Sequence, residues 1–367
     1  MSILFYISLF LVVYAFLRFM VSIFNFFTRP ILPNGKVDGE PMVSVLIPAR
    51  NEETNIARIL KGVQEQSYSN IEVIVYDDVS IDNTAAIVNS FAEKYENIKL
   101  LKGEVLPSGW LGKNHACYQL ALKAKGDYLL FLDADVEVSK WFVVNALAYV
   151  RRKNLILLSM FPRQRMMSCG ESLVVPTMNW ILLSLLPLRL VSWSKRRSFA
   201  AANGQMMMFE ANSYRENHWH EKVKSSPVED IDISRLLKRK RMRMATLLGT
   251  DDIACRMYTS YADAINGFTK NVSAFFGGSI VVAILFAVIG TVGPFLVFFS
   301  LPFPFTFLYF FSLIGSRIFI SKLSEQSALL NVVLWPVQHF AFLHLVVKAS
   351  YFAKRKQLEW KGRNVGR

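Results

Sequence analysis

The sequence predicts an α/β domain built on a mostly parallel sheet, held between membrane-spanning segments at both ends. Three observations predict it. Apolar stretches long enough to cross a bilayer lie near each terminus, strand and helix patterns alternate between them, and acidic turns directly follow two of the strands. Composition agrees. Of the 367 residues 53% are hydrophobic and only 19% charged, against roughly 45–50% and about 25% in an average soluble domain. The net charge of +14 fits basic flanks on membrane spans and a surface facing anionic lipid. The basic runs lack the interleaved aromatic platforms of a nucleic-acid binder, so no nucleic-acid partner is expected. Three scattered cysteines are too few for a disulfide framework or a zinc site, which suits a reducing compartment.

Taken in order, residues 2–27 are apolar apart from Arg18 and long enough to span ~30 Å of hydrocarbon. They lack the basic start and small-residue cleavage site of a signal peptide, so residues 1–28 read as a retained anchor. Residues 42–270 form one sizeable domain. Val43 to Pro48 is a short apolar strand, and Asn51 is placed to cap a helix through Gln64, with Glu52 and Glu53 in its first turn. Ile71 to Tyr76 is the second strand, and Asp82 caps the next helix. Ile98 to Leu101 and Tyr128 to Leu132 continue an alternation that implies a parallel sheet with helices on both faces. Residues 172–193 open with a short apolar segment interrupted by Pro176 and Pro187 and then turn basic. They read as an in-plane interfacial segment or a buried helix. Residues 271–347 are a membrane region with a turn at Leu301-Pro302-Phe303-Pro304. If all three of its apolar stretches crossed, the basic tail 348–367 would end up opposite the basic central domain. Since both belong in the cytoplasm, one late stretch is expected to be re-entrant or interfacial.

In open α/β sheets ligands bind beyond the carboxyl ends of the strands. Asp77 and Asp78 end one strand, followed by Ser80, Asp82 and Thr84; Asp133 and Asp135 follow another. Such oxygen-rich turns suit Mg²⁺ or Mn²⁺, which reach a protein through one or two carboxylates and otherwise hold substrate phosphates. A lone Asp-x-Asp is common in surface loops, but two acidic turns at the ends of two strands of one sheet point to a site. Glu229-Asp230, with Asp232, opens a helix, where acids are also ordinary first-turn residues. Lys113 is a candidate for phosphate. No Gly-x-Gly-x-x-Gly or Walker lysine motif occurs, which sets aside a nicotinamide or P-loop site. His115, His218 and His220 offer further metal ligands, although structural histidines are commoner.

Ile47-Pro48-Ala49-Arg50-Asn51-Glu52-Glu53, the Asp77-Asp78 turn and Asp133-Ala134-Asp135 resemble the nucleotide-sugar half of family-two glycosyltransferases of the GT-A fold, over roughly residues 42–275. Gly112 to Cys117, Arg256-Met257-Tyr258, Gly267 to Lys270 and Glu359 to Arg363, with the flanking spans, resemble the membrane enzymes of the 4,4'-diaponeurosporenoate and hopanoid-associated types. The resemblance implies a GT-A domain on the cytoplasmic side of a multi-pass cell-membrane protein. It implies that Pro48, Ala49, Arg50, Glu52, Asp77 and Asp78 hold the nucleoside of a UDP-sugar, that Asp133 touches the nucleotide, and that Asp135 binds Mn²⁺ or Mg²⁺. It also implies that Asp230 is the general base, with Lys113 and Arg256 near the diphosphate and a membrane lipid as acceptor. No Arg-Trp pair occurs, so the Gln-x-x-Arg-Trp motif of processive synthases is absent and a single inverting transfer is expected. A glycan-synthase subunit of the same fold and a non-catalytic membrane scaffold are the alternatives.

Overall fold

The computed structural model describes residues 3–269, 271–355, 359–360 and 363–364; residues 1–2, 270, 356–358, 361–362 and 365–367 lie outside the described residues, and with them Lys270, Lys361 and Gly362 of the motifs noted above. The residues fall into two units. One gathers Met1–Arg29, Gln164–Leu188 and Met257–Arg367; the other is Pro30–Arg163 with Arg189–Arg256.

The second unit is the α/β domain. Its strands are β1 (Val43–Ala49), β2 (Ile71–Asp77), β3 (Ile98–Lys102), β4 (Tyr128–Leu132), β5 (Val136–Val138), β6 (Leu157–Phe161), β7 (Arg163–Gln164), β8 (Met206–Glu210), β9 (Met244–Leu248) and β10 (Ile253–Cys255). The main sheet runs β3-β2-β1-β4-β8-β6-β9. Only β8 runs against its neighbours, so the expected mostly parallel sheet is present. Continuous apolar strands belong in such a sheet because helices cover both faces, and every residue of β2 is buried. In the helix Ile56–Gln64 the buried side chains are Ile56, Ile59, Leu60 and Val63. That spacing is one face of an α-helix, the face that a sheet-covering helix must bury.

This helix starts later than the sequence suggested. Asn51 is not its cap: its φ is 53°, and its side-chain oxygen accepts the amide of Ile81 at 3.0 Å. Residues 51–53 bind across to the loop after β2 instead of beginning a helix. Nor is Asp82 the cap of the helix Thr84–Lys94, whose N-cap is Asn83; from the position before it, Asp82 accepts the Thr84 amide at 3.0 Å and hydroxyl at 2.6 Å.

Among the described residues, three helices are long and apolar enough to cross a membrane, all in the first unit: Ile3–Thr28, Ile280–Ser300 and Phe303–Leu323. The turn between the last two falls at Leu301 and Pro302, as the prolines indicated. Helices in lipid pack through small residues, and here Gly315 accepts the ring of Phe19, which would lie 2.5 Å from any Cβ at that position. The apolar segment after Ser168 forms two helices, Cys169–Val174 and Pro176–Leu185, and it belongs to this unit up to Leu188. Buried Asn25 fixes its end. The Asn25 amide donates to the carbonyls of Leu183 and Leu186, and its oxygen accepts the Leu188 amide, each at 2.8 Å. The last apolar stretch becomes helices Ala328–Val333 and Trp335–Arg355. Polar Gln338, His339, His344 and Lys348 keep the longer one out of the three apolar spans.

Candidate functional site

Strand β1 lies between β2 and β4. The chain builds outward from β1 through β2 to β3, then returns to β1's other side with β4. That reversal of strand order opens a crevice at the carboxyl ends of β1 and β4, the usual ligand position in such sheets. The parallel register pairs Leu46 with Phe131, which brings the 49–53 turn level with Asp133.

One wall of the crevice is two loops laced together. The Asp78 amide donates to the carbonyl of Ala49 at 2.8 Å, and Arg50 returns a bond to the Asp78 carbonyl at 2.5 Å. The amides of Asn51, Glu52 and Glu53 donate to Ser80, Thr84 and Asp82 at 2.9, 2.8 and 3.1 Å. Asp77 and Asp78 are buried. Between them and Ser80, Val79 holds a φ of 55°, a conformation costly for a β-branched side chain, by about 1–3 kcal/mol. Gly103 closes this wall: its amide donates to the Asp77 carbonyl at 2.8 Å, and a Cβ there would lie 2.6 Å from the same oxygen.

The other wall is acidic. Lys113, in the first turn of the helix Gly112–Lys123, reaches both oxygens of Asp133 at 2.8 and 2.9 Å. It also lies 3.3 Å from Glu229 Oε1 and donates to the Gly204 carbonyl at 3.2 Å. Burial disfavours its charge, but Asp133 and Glu229 outweigh that and hold the ammonium well above the usual lysine range. Asp230, beside Glu229, accepts the Gly204 amide at 2.9 Å and its neighbour Ile231's amide at 2.7 Å. Burial, then the charge of Glu229, pushes its carboxyl up to about 7. A group that changes charge near neutral pH suits proton transfer.

Asp135 lies where β5 begins. Antiparallel pairing of β5 with β10 sets Cys255 opposite Val136, so the Cys255 thiol donates to Asp135 Oδ2 at 3.3 Å. Asp135 Oδ1 is buried with no hydrogen-bond partner. Burial and the Asp133 charge push this carboxyl up to about 6. An orphaned carboxylate oxygen beside a second carboxylate fits a hard divalent cation, which needs only one or two protein carboxylates. Among the described residues no cluster of three or more His, Cys, Asp or Glu forms a larger metal cage.

The structure thus gathers Pro48 to Glu52, Asp77, Asp78, Lys113, Asp133, Asp135 and Asp230 at one end of the sheet, with Arg256 directly after β10. Lys113 bonds two carboxylates. Two of the histidines have hydrogen-bond partners of their own. His220 is buried, shares a 2.6 Å hydrogen bond with the Tyr214 hydroxyl, and burial lowers it to about 3. His115 lies 3.3 Å from the Gln119 amide.

Sequence reasoning missed Gly204, Cys255 and Gln205, whose carbonyl accepts the Asp133 amide at 3.0 Å and whose side-chain amide donates to Cys255 Sγ at 3.0 Å. The Asn203-Gly204 pair just before β8 was the available signal for a close backbone approach. A Cβ on Gly204 would lie 2.7 Å from Glu229 Oε1 and 3.1 Å from Lys113 Nζ. We therefore expect Gly204→Ala to lower turnover by about tenfold to a hundredfold, as ångström-scale misplacement of catalytic groups does. Its melting temperature should stay near that of the parent protein, because the displaced atoms are side-chain ends. A parallel loss of stability and activity would instead make Gly204 a general packing residue.

Known proteins are similar to this chain. Residues 44–212 match the family described as Glycosyl transferase family 2. It is 29% identical over 234 residues to the 4,4'-diaponeurosporenoate glycosyltransferase of Staphylococcus haemolyticus, covering 63% of this chain. That match spans 61% of the relative's own length, under two thirds. It is 30% identical over 132 residues to the beta-monoglucosyldiacylglycerol synthase of a Nostoc species, covering 35% of this chain and 28% of that one. The mannosyltransferase of Pyrobaculum calidifontis, solved with GDP-Man and Mn²⁺, superposes with a TM-score of 0.56 at 16% identity, over 95% of this chain and 98% of that one. This last likeness is one of fold, and the fold is GT-A.

Proposed function

From the family 2 match over residues 44–212, we propose that this chain transfers a single sugar, with inversion, from a UDP-sugar to a lipid acceptor in the membrane. The observation that carries the reading is Asp135, a buried carboxylate with one oxygen left without a partner at the switch point of the sheet. Asp135 would hold Mn²⁺ or Mg²⁺, which would neutralise the departing diphosphate. The chain's own residues do the rest. The laced turns 49–53 and 78–84 hold the nucleoside, with Arg50 and Asp78 fixed to each other. Lys113 keeps Asp133 and the Glu229-Asp230 pair in register across the crevice. Asp230 accepts the proton of an attacking hydroxyl. Arg256, directly after β10, balances diphosphate charge.

A lipid acceptor is supported by three apolar helices in the same chain and by relatives named for a diaponeurosporenoate and a glucosyldiacylglycerol. With three crossings, the α/β unit and the tail share one side of the membrane. The basic runs of both support the cytoplasm as that side, with Trp335–Arg355 as the stretch that does not cross. The test is to give membranes containing the protein a radiolabelled UDP-sugar and extract the lipids. Label should enter the organic phase, stop with EDTA and resume with Mn²⁺ or Mg²⁺. Transfer from GDP-sugars alone would reject the donor, and transfer undiminished by EDTA would reject the metal.

A further inference from the structure

The unit containing the apolar helices holds two arginines that the sugar-transfer chemistry does not use. We infer that Arg18 and Arg317, gathered around Trp180, bind the anionic head of a membrane lipid. The Arg18 guanidinium lies 4.0 Å from the centre of the Trp180 ring and 4.8 Å from that of Phe286; Arg317 lies 4.6 Å from the same Trp180 ring. Arg18 lines a small cleft of about 30 Å³ together with Tyr14, Trp180, Tyr309 and His339. Arg317 is 3% exposed and lines an adjoining recess that shares Trp180.

Among the described residues, every hydrogen-bond partner of the two guanidiniums is neutral. Arg18 donates to Ser184 Oγ at 3.1 Å through Nε and at 2.5 Å through Nη2. Arg317 donates to Gln338 Oε1 and lies 3.4 Å from His339 Nδ1, and its Nε is buried with no partner. The three spanning helices contain no aspartate or glutamate at all. Two cations brought together without a counter-charge, in a setting where ionisable groups are costly and mark function, require an anion from outside the chain. The planar, multiply donating guanidinium fits a carboxylate or a phosphate through two parallel bonds. The exposed apolar positions around the spans, Leu17 and Phe16 among them, suit the acyl or polyene chain that such a head carries. The inference rests on the bilayer residence of these helices and not on the donor chemistry.

The test uses the full chain in phosphatidylcholine nanodiscs doped with phosphatidic acid or oleic acid, with retained lipid read by native mass spectrometry. The wild type should retain either anionic lipid over phosphatidylcholine by about tenfold or more, and Arg18→Gln and Arg317→Gln should each remove about tenfold of that preference. Equal retention of the neutral lipid, or a preference unchanged in both variants, would overturn the proposal and leave the arginines as packing groups. Displacement by millimolar inorganic phosphate would overturn the lipid source, because a free anion would then suffice. If a glutamine variant loses its melting transition, Arg18→Lys keeps the charge without the planar fork. It should melt normally with reduced retention, and undiminished retention would count against the site. UDP binding, measured on the same samples, reports the donor site separately, so failure of the sugar-transfer reading is distinguishable from failure of this one.

Discussion

Asp135→Ala should bring sugar transfer to background while the protein still folds. The carboxylate has one buried oxygen without a partner and a second bonded only to a thiol at 3.3 Å, so its removal breaks no strong internal bond. What is lost is the anchor of the cation. Preorganised charge at a leaving group contributes roughly 10²–10³ in rate per group, and the ion supplies several kcal/mol more. A fall of about a thousandfold or greater is expected. Thermal melting distinguishes this from damage to the fold. Mn²⁺ with UDP should raise the wild-type melting temperature through binding to the native state, and should leave the variant unmoved. A variant with turnover near wild type, or with the same Mn²⁺-dependent shift, would remove Asp135 from the metal site.

Asp230→Asn should separate two kinds of acceptor. Burial and Glu229 hold this carboxyl at about 7, so the basic form is populated as pH rises through that value. For a hydroxyl acceptor, turnover should climb between about pH 6 and 8, and the variant should lose roughly 10²–10⁴ in rate together with that climb. A carboxylic acid acceptor is already ionised above its pKa of about 4, so the loss would be small and the profile flat. Linkage fixes the effect on stability. The folded pKa lies above the unfolded value of about 3.9, so the stabilising contribution of Asp230 is complete below that value. It is lost as pH rises through about 7. The active, ionised state is the less stable one. Rates from about pH 5.5 to 8.5 with parallel UDP binding decide the matter; lost donor binding would place Asp230 in the donor site.

Much of this was legible in the sequence because strand ends and acidic turns are local features. Asp77, Asp133 and the Glu229-Asp230 pair were placed by the runs next to them, and the turn at Pro302 by its prolines. What the sequence hid depends on distant pairing. Asn51 carries the marks of a helix cap, yet its partner is Ile81, thirty residues on. Cys255 reaches Asp135 only because β5 and β10 pair antiparallel. Lys113 looked like a free phosphate ligand because nothing near it in sequence announces Asp133 or Glu229 as partners. The apolar stretch after Ser168 was ambiguous for the same reason: Asn25, which ties down its end, is far away in the chain.

That tie bears on how the chain is made. The helix Ile3–Thr28 emerges from the ribosome well before Phe303–Leu323, which brings Gly315 to Phe19. The α/β unit is itself interrupted, since the chain leaves it at Gln164 and returns at Arg189. Closing such long loops is slow, because their entropy is lost before the contacts form. Until synthesis passes Leu323, the helix Pro176–Leu185 has Asn25 to hold it but lacks its later partners, and its apolar sides stay open to aggregation. A nascent chain of this design therefore relies on the helix Ile3–Thr28 to shelter a segment that belongs, by sequence position, to the middle of its α/β unit.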